Sequence, residues 1–392
     1  MEKRMPQLCN DKDCTGCSSC AQSCAKNAIS MQFNKEGYYN PVVETDKCVG
    51  CLICEQRCPI LSPVAKNKEP LNAYASWIKD DETRAKSSSG GAFSAIAIEI
   101  LNTGGIVWGA GYTDNMIPSY KYVEHSKDLD LIRGSKYVQC KIGDTYKKIK
   151  EQLKIGKQVL FCGTPCHVSG LYAFLNGKFT ENLITIDFIC HGVPAPKLFG
   201  NYIKWLEEKY NDEIVDFNFR ESRFGTNYNV GTSATFKEKG KKFLYLQNNS
   251  YTLGFCRDLT IHETCNKCFF NGTQRTSDFT IGDFHGTKGE YSAKEQHKGI
   301  SCLIVNSDKG NAYVERLDMK IKEVELKKII KSNPSYTLQS KIKSPLNLEE
   351  IVTKPFKEVQ EKHIRPSLKD KIKTVSMLLL GGRLTYILKN LA

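Results

Sequence analysis

Cys14, Cys17, Cys20 and Cys24 recur as Cys48, Cys51, Cys54 and Cys58, each displaced by 34 residues. No other feature limits the fold so tightly. The C-x2-C-x2-C-x3-C run, its second copy followed by Pro59, has the spacing of a bacterial two-cluster ferredoxin. Two-residue spacers let three thiolates wrap three corners of a 4Fe–4S cube, and the fourth cysteine of each run serves the other cube. That assigns Cys14, Cys17, Cys20 and Cys58 to one cluster, and Cys48, Cys51, Cys54 and Cys24 to the second. Structural zinc also uses C-x2-C pairs, but it does not require two runs of identical internal spacing. Ala25 stands after Cys24 where proline is common, and Cys9 is read as a plain reduced thiol.

The remaining composition fits a cytoplasmic redox protein. Of 17 cysteines in 392 residues, nine precede residue 59, and the odd total forbids complete pairing within one chain. The N-terminal stretch lacks an apolar run of signal-peptide length, and no stretch approaches a membrane span. Reduced, clustered cysteines in that setting point to metal. The net charge is +13, of which residues 315 to 392 carry +8. No basic run is interleaved with aromatics, so nucleic acid is not an expected partner.

Length predicts two to three domains. The first, 1–62, is the ferredoxin-type segment; the proline-bracketed 63–72 is a connector; 73–330 is the large domain; 331–392 is a basic helical extension. Within the large domain, β-branched runs at Ala73 to Ile78, Gly105 to Ala110, Gln158 to Cys162, Leu183 to Ile189, Phe279 to Gly282 and Cys302 to Val305 predict strands. Helical periodicity falls between them, near Gly91 to Leu101, Asp144 to Lys154, Val168 to Leu175 and Leu198 to Tyr210. The expected fold is α/β, an α+β-like mixed sheet behind a small N-terminal ferredoxin-like domain. From about Ser344 the chain reads as helices outside that core.

Two adjacent cubes make a one-electron wire, so the large domain should hold what accepts those electrons. No G-x-G-x-x-G follows a strand. Instead Ser87-Ser88-Ser89-Gly90-Gly91-Ala92 precedes a helix, where small residues let backbone N–H groups approach a phosphate. A plain helix cap is the alternative reading. Four further stretches are Phe161-Cys162-Gly163-Thr164-Pro165-Cys166-His167, Asp187-Phe188-Ile189-Cys190-His191-Gly192-Val193-Pro194, Cys265-Asn266-Lys267-Cys268 and Asp278 to Gly286. With Gly134 to Val138, this ordered set resembles the coenzyme F420 hydrogenase/dehydrogenase beta-subunit family over roughly residues 10 to 330.

The resemblance implies an iron–sulfur flavoprotein carrying electrons between clusters and a two-electron substrate through FAD. Cubes pass single electrons and organic substrates take a hydride; a flavin does both. Carried over, the FAD phosphates fall near Ser88, Ser89, Gly90 and Gly91, with Ser135, Lys136 and Tyr137 close by. A third 4Fe–4S cluster is also implied, with Cys166, Cys190, Cys265 and Cys268 as candidates. Zinc on Cys256, His262, Cys265 and Cys268, or simple buried thiols at Cys140, Cys162 and Cys302, are the competing readings. His191 and Asp283 are the candidates for proton handling. His167, Ala195 and His285 depart from the family's usual Gln, Ser and Trp, and the last two are expected on the substrate face.

Three functions follow. The chain is a ferredoxin-linked, FAD-dependent oxidoreductase acting on a small molecule, an electron-transfer subunit of a larger complex, or an F420-dependent beta subunit. Ferredoxin or another redox protein is the expected electron partner. At the far end Leu368, Ile372, Val375, Leu379, Leu384, Ile387 and Leu391 alternate with basic residues. That pattern fits a helix pair lying on the inner membrane face or one capping the core.

Overall fold

The computed structural model describes residues 4–221, 231–287, 289–337, 346–372, 374–376, 378 and 379. Strands β1 (Ile29–Phe33) and β2 (Tyr39–Val43) form an antiparallel hairpin in the N-terminal segment. The large sheet begins with β3 (Asn72–Ile78), β4 (Ile106–Tyr112), β5 (Pro118–Val123), β6 (Val159–Cys162) and β7 (Leu183–Phe188). A small antiparallel sheet follows, built from β8 (Ile214–Asn218), β9 (Thr232–Phe236) and β10 (Gly240–Leu244). The chain then returns through β11 (Phe279–Asp283), β12 (Ser301–Val305) and β13 (Met319–Glu323).

The large sheet has the order β13-β3-β12-β11-β7-β6-β4-β5. Its centre, β4, β6, β7 and β11, is parallel, while β5, β12, β3 and β13 join by antiparallel pairing. The centre is buried on both faces, which is why β6 and β7 read as nearly unbroken apolar runs. At the edge, β13 exposes Lys320 and Lys322, charges that discourage pairing with another chain. Helices Ala92–Asn102, Thr145–Lys154, Pro165–Leu175 and Pro196–Tyr210 cover the faces where periodicity placed them. The last two start on proline, whose missing N–H costs nothing in a first turn.

The end of the chain departs from expectation. Leu348, Ile351, Val352, Phe356, Val359 and Ile364 are buried in one cluster with Phe199, Tyr202 and Leu206 of helix Pro196–Tyr210. The helices expected outside the core therefore complete it. Their short length hid an apolar face that only a partner helix reveals. Beyond them, residues 368 to 379 are helical where described, and Leu384, Ile387 and Leu391 lie outside the described residues.

The N-terminal segment is docked by specific bonds. Gln22 Oε1 accepts the backbone N–H groups of Tyr146 and Lys147 at 2.9 and 3.1 Å, capping helix Thr145–Lys154 from outside. Gln139 donates to Thr15 O at 3.2 Å and accepts from Tyr39 N at 2.8 Å. Tyr38 is fully buried in the large domain's core cluster, its hydroxyl donating to Val193 O and Thr260 O.

Candidate functional site

Ligands in open α/β sheets settle outside the carboxyl ends of the parallel strands. Here β6 ends at Cys162, β7 runs into Ile189 and Cys190, and β11 ends at Asp283. All of these line one cavity of about 620 Å³. Ser87 to Ser89, Gly91 and the segment Arg133 to Cys140 form another part of its wall.

Ser88, Ser89, Gly91, Ser135, Lys136 and Tyr137 all line this cavity. Ser88 Oγ accepts from the backbone N–H and the hydroxyl of Ser135, at 2.9 and 3.1 Å, joining the two halves of that wall. Gly91 takes φ +87°, a left-handed conformation that suits glycine, and opens helix Ala92–Asn102 toward the cavity. Gly90 sits elsewhere. It is buried against the sheet, where an added Cβ would lie 2.4 Å from Ser76 O and 2.6 Å from Ser301 N. Lys136 Nζ donates to Arg133 O at 2.6 Å and lies over the Tyr112 ring; burial lowers its ammonium to about 8.

The four large-domain cysteines converge on the same cavity. Cys166 lies in the first turn of helix Pro165–Leu175, Cys190 follows β7, and Cys265 and Cys268 flank the end of the short helix Glu263–Asn266. Burial raises every one of these thiols, Cys190 to about 12, and they repel one another as thiolates. Such a set ionises together only with cationic charge between its members, which is what a cube supplies. Among the described residues, no three His, Cys, Asp or Glu side chains close on a point able to hold a single metal ion. A cube is larger than an ion and keeps its ligands further apart. Of the zinc set, Cys256 is exposed, and His262 Nδ1 accepts from Thr264 N at 3.1 Å. Cys302 is a buried core thiol.

The N-terminal thiols behave in the same way. Cys14, Cys17 and Cys20 are raised chiefly by burial, and each feels Cys58, a thiol of the other run that lines the same small cavity. Cys54 likewise feels Cys51 and Cys24. Neighbouring sets adjoin. Cys51 is exposed, Cys54 interacts with Cys20, and Cys17 interacts with Cys166.

Helix Pro165–Leu175 meets the N-terminal segment at Gly170, where a Cβ would lie 2.9 Å from Cys17 Cβ and 3.2 Å from its Sγ. Glycine is what permits that approach.

His191 Nε2 donates to Asp258 Oδ1 at 2.5 Å, leaving Nδ1 to accept from Ser335 at 3.1 Å. Both ring nitrogens are therefore engaged. Asp283 is clamped by Arg220 through two bonds of 2.7 and 3.3 Å. Arg220 follows β8 in a stretch without a recognisable motif, so sequence reasoning passed it over. Arg275 is 1% exposed, donates to Phe270 O, Gly272 O and Tyr336 O, and faces Asp187 at 3.6 Å. It fixes the loop after Cys268, and its isolation in sequence gave no signal. His285 lines the cavity as expected, but Ala195 is fully buried in a core cluster, because it caps helix Pro196–Tyr210 from the inside.

Comparison with known families decides the broader class. Residues 73–146 match the model of the N-terminal part of the coenzyme F420 hydrogenase/dehydrogenase beta subunit, and residues 156–331 match the model of its C-terminal part. The chain belongs to that family. Its members are oxidoreductase subunits, and in this one residues 13–60 match the 4Fe-4S dicluster domain, placing iron–sulfur clusters in the N-terminal segment. A chain of the F420-reducing [NiFe] hydrogenase complex from Methanosarcina barkeri is similar at 16% identity and TM-score 0.44, over 75% of this chain and 91% of that one. No curated protein matches. Among the described residues, no helix is long and apolar enough to cross a membrane.

Proposed function

We propose that this protein is an FAD-dependent, ferredoxin-linked oxidoreductase in which three 4Fe–4S clusters connect an exposed surface to the large-domain cavity. The observation that carries this reading is the approach of Cys17 to Gly170, in the helix that holds Cys166, which sets the N-terminal thiols beside a cavity walled by a Ser/Gly helix entrance. Cubes supply one-electron steps and a flavin exchanges them for a hydride.

The chain's own residues do the rest. Backbone N–H groups at the start of helix Ala92–Asn102 attract a phosphate, with Ser88, Ser89, Ser135 and Lys136 around it. Cys166, Cys190, Cys265 and Cys268 hold the cluster nearest the cavity. Asp283, oriented by Arg220, presents its carboxyl group at the substrate face, while His191 orients the segment after Cys190 through Asp258 and Ser335.

A second reading has the chain relay electrons within a multi-protein complex, without its own substrate chemistry. The beta-subunit description of both matched models favours it. Anaerobic protein reduced by ferredoxin and then reoxidised by a small molecule alone supports the enzyme; reoxidation only by a partner protein supports the relay. F420-dependent turnover marks the family's namesake chemistry. The exposed row Leu368, Ile372, Val375 and Leu379 supports contact with an anionic membrane surface.

A further inference from the structure

The duplication in the first 60 residues has one asymmetry. Each cysteine of the first run has a counterpart 34 residues later, but Val43 occupies the place corresponding to Cys9. One of the two cluster sites therefore has a spare thiol and the other does not. Cys9 lines the same small cavity as Cys14, Cys17, Cys20 and Cys58, so five thiols surround one site. Within that cavity the Cys9 and Cys58 thiols are near enough to act on each other electrostatically.

Cys9 is also held in place from both sides. Gln7 N donates to Glu55 Oε1 at 2.7 Å, in the helical turn just before Cys58, and Cys14 N donates to Asn10 O at 2.9 Å. The segment Gln7 to Asn10 is thus pinned between the two chain elements that supply the ligands. A free surface thiol has no need of such anchoring.

We infer that Cys9 is an interchangeable ligand for the inner cube, able to replace Cys58. This rests on the reading that Cys14, Cys17, Cys20 and Cys58 hold a 4Fe–4S cluster. In the exchange, the Cys9 proton would pass to Cys58 Sγ as one iron–sulfur bond to Cys58 breaks and one to Cys9 forms. No electron moves and the charge of the site is unchanged. Cys58 is the ligand that this exchange suits, because it is the one cysteine of the four contributed from outside the Cys14 to Cys20 loop, and Cys9 lines the same small cavity. The inner cube then survives loss of Cys58, whereas the outer cube has no equivalent reserve.

The test is iron content and the EPR spectrum of dithionite-reduced full-length protein, purified without oxygen, for Cys58→Ala, Cys9→Ala, the double variant and Cys20→Ala. Both Cys58→Ala and Cys9→Ala should keep wild-type iron, the former with altered g-values. The double variant and Cys20→Ala should each lose one cube, about four iron per chain. Loss of iron or of fold in Cys58→Ala while Cys9→Ala is intact overturns the inference, as does a double variant that keeps all its iron. Wild-type protein without iron would instead overturn the cluster reading beneath it.

Discussion

Cys17 lies against Gly170, its Cβ and Sγ within 2.9 and 3.2 Å of where a methyl group on that glycine would stand. The contact joins the ferredoxin-type segment to the helix that carries Cys166, so the gap between two thiol sets is set by a missing side chain. Gly170→Ala should push the two apart and cost about 1–3 kcal/mol through overpacking. Thermal melting reads the cost. Stopped-flow absorbance should show the N-terminal clusters still reduced by ferredoxin while bleaching of the flavin slows.

Cys51→Ser tests the exposed member of the N-terminal sets. The exposed position bears little packing, so the fold and the large-domain cofactor should persist. Ferredoxin should no longer reduce the flavin, whereas a small chemical reductant reaching the cavity directly still should.

Arg275 faces Asp187 in the interior, and burial pushes that carboxyl up against the pull of the guanidinium. Arg275→Met leaves the aspartate buried without its partner, a loss of about 3–5 kcal/mol. It also frees the loop after Cys268. Iron analysis should show the large-domain cluster lost and the two N-terminal clusters retained.

Much of this arrangement could be read from the sequence, and what could not has a common cause. The central strands and their helices carry their own periodicity, so Val159–Cys162 and Leu183–Phe188 emerged almost to the residue. The eight early cysteines declare themselves by spacing. Gln22, Gln139 and Tyr38, which dock the first segment, are ordinary residues whose partners lie 100 or more positions away. Arg220 and Arg275 are isolated in the same way, and Ala195 was assigned to the cavity because a strand-end motif does not reveal which side of a helix start faces the core. Leu348 to Ile364 was set outside the core because its helices are too short to show an apolar stripe.

His167 gives the protein a dependence on pH. Its ring is 2% exposed, Tyr120 bonds it at 3.0 Å, and burial lowers it to about 4 from 6.5. Between those values the unfolded chain binds a proton that the folded chain refuses, so stability falls as pH drops through that window. The loss is roughly 3 kcal/mol at its fullest. His167→Gln should flatten the fall in melting temperature between pH 7 and pH 5 and change little at pH 8.

Deleting residues from Ser367 onward removes the exposed row that begins at Leu368. Sedimentation with anionic vesicles should be lost while the iron content stays unchanged; a truncated chain that still sediments contradicts a membrane role for this helix.

The most direct measurement is a joint determination of iron, acid-labile sulfide and flavin on protein purified without oxygen. The account expects about twelve iron and twelve sulfide per chain, at about four of each per cube, with one flavin released on denaturation. Eight iron with no flavin would leave the cavity without its cofactors and contradict it.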